Sequence, residues 1–208
     1  MKKRIIYLLG ILVTVILLSS CEGNAKVALK ADGAVSFEFT GSIGDAFKEM
    51  MSSAGNDLST IDEEGIKLAL EQSGFSNVFV VADVLRNDIV IKFEDKTRSS
   101  YLFQTEIVSV KDDKEVNFNI TAGKFLKLYN AAGEDIQMLL DLFLSPVLND
   151  EEMSEKEYIE TIAVTYGEDA GKEIDDSSVK FTIVNKDGKK KSKSIFGKSI
   201  LCGAEISL

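Results

Sequence analysis

Two Asp-Gly dipeptides, each set between alternating apolar runs, do most to restrict the folds open to this chain. Near the start, Val27 and Leu29 alternate with polar neighbours. Asp32-Gly33 interrupts, and Val35, Phe37 and Phe39 resume the alternation. Near the end, Val179, Phe181 and Ile183 alternate and Lys186-Asp187-Gly188 interrupts. A lysine-rich segment then leads to Ile195 and Phe196. A period of two turns one side of a strand toward a core, and Asp-Gly supplies the positive φ of a tight hairpin turn. The chain is predicted to open and close with β-hairpins.

The span between them mixes helices and strands. Ser42 and Asp45 resemble a capping pair before Ile43, Phe47, Met50 and Met51 at helical spacing. Thr60 with Glu63 predicts a second helix start, and Gly74 its end. Val78 to Leu85 reads as a buried strand. It turns through Arg86-Asn87-Asp88 into a strand over Ile89–Phe93. Further strands are predicted at Tyr101–Val110 and Val116–Ile120, then helices at 121–132 and 134–144, closed by Pro146. Ser154 with Glu157 forms another capping box. It precedes a stripe of Tyr158, Ile159, Ile162, Ala163 and Tyr166. A last strand is expected between Ser199 and Ile206. The order of elements favours an α+β fold, an antiparallel or mixed β-sheet with helices packed on one face, as a single domain over residues 26–208.

The first 21 residues have a different character. Lys2, Lys3 and Arg4 precede an apolar run from Ile5 to Leu18. That run is shorter than the ~20 apolar residues of a spanning helix, and it has the ordered parts of a secretory signal. The end of the run, Leu18-Ser19-Ser20-Cys21, resembles a bacterial lipobox. The resemblance implies a signal peptide of residues 1–20, cleavage before Cys21, and lipid on the Cys21 thiol and new amino group. Two or more acyl chains make such an anchor stable. Residues 21–25 then read as a lipidated tether. The location implied is the bacterial cell envelope, on its periplasmic or surface face, with the membrane as a partner. The alternative is an ordinary signal peptide, or an uncleaved anchor, with an incidental cysteine.

A lipobox followed by strand, Asp-Gly turn, strand and helix is also similar to the start of LppM-like lipoprotein domains. The similarity covers roughly residues 18–50. It rests on Asp32-Gly33 and the alternating Val35, Phe37 and Phe39. It implies an envelope protein that handles lipid or glycolipid without catalysis, and it transfers no site residues.

Charge narrows the function classes. With residues 1–20 removed, 24 basic residues fall to 21 against 34 acidic, a formal charge of −13. Nucleic acid is excluded as a partner, since its binding needs a basic face. There is no histidine, which removes the commonest general base and metal ligand. With Cys21 acylated, Cys202 stands alone. It reads as a nucleophile without a base partner, or as a small buried apolar residue. Asp150, Glu151, Glu152, Glu155 and Glu157 form an acidic cluster without the alternating spacing of a Ca²⁺ loop. The pattern calls for no metal, no cofactor and no catalytic residue.

Two groups remain as candidates for ligand binding. Phe125, Leu128, Leu139 and Phe143 lie on the two helices of residues 121–144. They line an apolar slot, or they are ordinary core. Lys189, Lys190 and Lys191, with Lys186 and Lys193, are the densest positive feature. They meet lipid phosphates, or they guard a sheet edge from pairing. The reading favoured is a membrane-anchored, non-enzymatic envelope lipoprotein, acting as an adaptor or as a carrier of an apolar or lipid ligand. Its partners would be a lipid or an envelope protein. The alternative is an envelope glycan hydrolase that uses a carboxylate pair.

Overall fold

A computed structural model describes residues 22–53, 62–83, 87–131, 137, 141 and 153–208. Strands β1 (Glu22–Leu29) and β2 (Val35–Ser42) form the first hairpin, with Val27 opposite Phe37. Gly33 takes φ 89° in its turn, and the Asp32 carboxylate accepts from the Ala34 amide at 3.1 Å. Strands β7 (Ser178–Val184) and β8 (Lys190–Phe196) form the last hairpin, with Gly188 at φ 82°. Both hairpins stand where the Asp-Gly turns place them.

Strands β3 (Ser76–Asp83) and β4 (Asp88–Asp95) complete a six-stranded sheet in the order β3-β4-β2-β1-β7-β8. All of its pairings are antiparallel except β1 with β7, which is parallel. A smaller sheet joins β5 (Val108–Lys111), β6 (Glu115–Ile120) and β9 (Ile206–Ser207) in that order. The helices are α1 (Asp45–Ser53), α2 (Glu63–Gln72), α3 (Tyr101–Gln104), α4 (Ala122–Ala131), α5 (Glu155–Tyr166), α6 (Glu168–Asp176) and α7 (Gly197–Leu201). The fold is α+β with a mixed sheet.

One face of the large sheet makes the core. Val27, Leu29, Val35, Phe37, Phe39, Ile89, Ile91, Phe93, Phe181 and Ile183 are all buried there. Leu70 of α2, Ile162 of α5, Ile174 of α6 and Leu201 of α7 belong to the same cluster. Val116 and Phe118 of the smaller sheet join it, with Phe118 stacked on Phe181 at 5.5 Å. Apolar burial at ~25 cal/mol per Å² is the term that holds these layers together.

Several expectations are corrected. Residues 22–25 are not a tether: β1 starts at Glu22, and Glu22 already pairs with Ser178. The strand expected from Tyr101 is broken by a helical turn. There the Asp95 carboxylate accepts from the amides of Thr97, Arg98 and Ser100, which folds the chain back before Tyr101. The cap of α2 is Asp62, whose carboxylate accepts from the Gly65 amide at 2.8 Å. Glu63 instead reaches across to accept from the Ala82 amide at 2.7 Å, fastening α2 to β3. β3 is an edge strand with only Val80 buried, because nothing among the described residues covers its outer face. Helix α6 adds an element that the apolar pattern does not mark, and the expected last strand shortens to α7 followed by two residues of β9. The Ser154–Glu157 capping box forms as read. Thr60 and most of the expected helix 134–144 lie outside the described residues.

Candidate functional site

Pairing in the large sheet fixes what its outer face presents. Residues directly opposite in a ladder share a face. Asn24 therefore stands with Thr40 and Lys180, and Lys26 with Glu38 and Thr182. Val184 stands with Lys190, and Lys92 with Glu38 and Phe79. The helices and the small sheet contribute to the core on the other side. Among the described residues, this outer face is left open.

Two shallow depressions lie on it. One, of about 290 Å³, is lined by Asn24, Lys26, Glu38, Lys180, Thr182 and Lys190 among others. The second, of about 280 Å³, runs between Asn77, Phe79, Lys92 and Glu94 and shares Lys26 and Glu38 with the first. Glu38 sits between them and takes Lys92 at 2.7 Å and Lys26 at 3.6 Å. The Lys92 hydrogen bond, aided by the charge of Lys26, holds the Glu38 carboxyl below its ordinary range against the pull of partial burial. Glu94 is likewise lowered, first by the Lys30 hydrogen bond at 2.8 Å and also by Asn77. Exposed pairs of this kind stabilise by ~0–1 kcal/mol, so their effect here is to position side chains. Lys180 and Lys190 make no ion pair among the described residues. The arrangement offers ammonium, hydroxyl and amide groups to an anionic or polyhydroxylated surface.

Glycan hydrolysis by a carboxylate pair sets a requirement against which the described carboxyl groups can be compared. A glycosidase needs one carboxylic acid with a raised pKa. Glu38, Glu94, Asp95, Asp113, Glu157 and Asp187 are all shifted the other way. Cys202, at the end of α7, is half-buried. Burial, with the negative charge of Glu155, pushes its thiol up to about 11, so it is protonated at neutral pH. Among the described residues no group of three or more acidic or cysteine side chains is placed to hold a metal ion. No described helix is long and apolar enough to cross a membrane.

The residues singled out from sequence are not brought into one site. Phe125 and Leu128 of α4 are buried in the core, on the side of the sheet away from the open face. Leu139, Phe143 and Cys21 lie outside the described residues. Lys190 enters the first depression. Lys189 is in the turn, tied to Asp187 at 2.8 Å, and Lys191 is exposed on the opposite side of the edge strand. The face residues that sequence reasoning passed over are Lys26, Glu38 and Lys180. Their only signal was the polar half of each alternation. It could not show that β1 and β7, some 150 residues apart, lie side by side.

Comparison with protein-family models, with curated proteins and with solved structures finds no match to this chain.

Proposed function

We propose that this chain is a lipid-anchored protein of the bacterial envelope that acts by binding, with the open face of the six-stranded sheet as its working surface. The lipobox-like Leu18-Ser19-Ser20-Cys21 supports the anchor. The observation that carries the binding role is the sheet that buries one face and leaves the other as two lysine-lined depressions. The burial of Phe125 and Leu128 favours an adaptor over a carrier with a slot beneath the helices. The resemblance of the first hairpin to LppM-like domains agrees with a non-catalytic role at a lipid or glycolipid surface.

The test is lysine footprinting with an amine-reactive reagent, on intact cells and on the purified signal-free domain. Lys26, Lys180 and Lys190 should be protected in cells. Lys127 and Lys156, exposed on helices, should react equally in both samples. Equal reactivity of all five lysines contradicts a binding role for this face.

A further inference from the structure

We infer that the corner where β8 ends at Phe196 and α7 begins, with Lys198, seats on the bilayer beside the lipidated cysteine. This rests on the anchor proposed above and adds an orientation to it. Cys21 is bonded to Glu22, the first residue of β1, so no linker separates an acylated Cys21 from the sheet. Glu22 pairs with Ser178, and Ser178 pairs with Phe196. At ~4.8 Å between neighbouring strands, Phe196 stands about 10 Å from the start of β1.

Phe196 is 56% exposed, on the open face, with the Lys198 ammonium 5.3 Å from its ring centroid. Lys198 also pairs with Asp175 at 2.6 Å. The charged groups around the corner are Lys180 and Lys198 against Asp175 and Asp176 of α6 and Glu155 of α5, an excess of negative charge. Attraction to anionic lipid is therefore not what holds the corner down. An aromatic ring this close to an acyl anchor is kept at the interface by its own effective concentration, where burying it is favourable. The lysine-rich β7–β8 turn lies at the other end of these strands, ~20 Å away along β7, and points from the membrane. The open face then stands upright on the bilayer, within reach of a partner approaching along the surface.

The chain has no tryptophan, so a single Phe196→Trp reports on this corner alone. The full-length variant, extracted from cells with its acyl mass verified, is reconstituted into phosphatidylcholine vesicles with brominated chains. Its emission should be blue-shifted relative to the signal-free variant in solution and quenched about twofold or more. Phe79→Trp, on the open face at the far edge, should show neither change. An acylated Phe196→Trp protein whose indole emits as in water and escapes quenching overturns the seat and leaves the anchor standing. An unmodified Cys21 overturns the anchor and the seat with it.

Discussion

Glu22 lies directly opposite Ser178 in the parallel ladder between β1 and β7. The first residue after Cys21 is thus part of the central sheet. Deleting residues 22–25 removes four of the seven pairs in that ladder, and also the pairs of Asn24 and Ala25 with β2. A tether can be shortened without cost to the fold, but a central strand cannot. The signal-free deletion variant should lose cooperative thermal unfolding, or unfold at least ~5 °C lower. An unchanged midpoint contradicts the assignment of these residues to the sheet.

At the opposite end of the sheet, Arg98 ties three turns together. Its Nε and Nη2 donate to the Gly33 carbonyl at 3.0 and 2.7 Å, and its Nη1 donates to Asp113 at 2.5 Å. A planar fork makes all three bonds at once, and an ammonium cannot. Arg98→Ala and Arg98→Lys should each cost about 1–3 kcal/mol in urea unfolding, with little difference between them. Full rescue by lysine would show that charge alone matters there.

Much of this architecture was legible where local chemistry decides it. Asp32-Gly33 and Asp187-Gly188 set both hairpins, and Ser154 with Glu157 set the start of α5. Legibility failed where a distant or unusual partner overrides local preference. Tyr101 and Phe103 have side chains that favour strands, yet the bonds to Asp95 turn the chain into a helical turn there. Helix α6 buries only Ala170, Gly171 and Ile174, too few apolar positions to show a period. Gly171 is small because Ala163 of α5 packs against it: a Cβ there would come within 2.9 Å of the Ala163 Cβ. The open face was the least legible feature, because it depends on the pairing of β1 with β7 and on which side the helices cover.

Leu128 and Phe125 serve to separate core from slot. Both are buried in the main cluster. Leu128→Ala and Phe125→Ala should each destabilise by about 2–5 kcal/mol in chemical denaturation. Val164→Ala, at a side chain 89% exposed, should stay within about 0.5 kcal/mol. A near-neutral result at Leu128 and Phe125 would place them at a wall that folding does not need.

Asp95 sets an expectation for acid. Burial raises its carboxyl pKa, but hydrogen bonds from Ser100, Arg98 and Thr97 outweigh burial and leave the pKa below the ordinary value. A carboxyl whose folded value is depressed contributes stability in full above its unfolded value of about 4, and loses it as pH falls below that. Glu38, Glu94 and Asp113 are lowered too and act in the same direction. Unfolding free energy should fall as pH drops below about 4, and Asp95→Asn should flatten that fall while lowering stability at neutral pH. A variant as acid-sensitive as the parent contradicts the role given to Asp95.

Lipid anchoring at Cys21 is tested most directly by the intact mass of the protein extracted from bacterial membranes. Residues 1–20 should be absent and acyl mass should be added at Cys21. A chain that keeps Met1, or a mature chain with an unmodified Cys21, contradicts that anchoring.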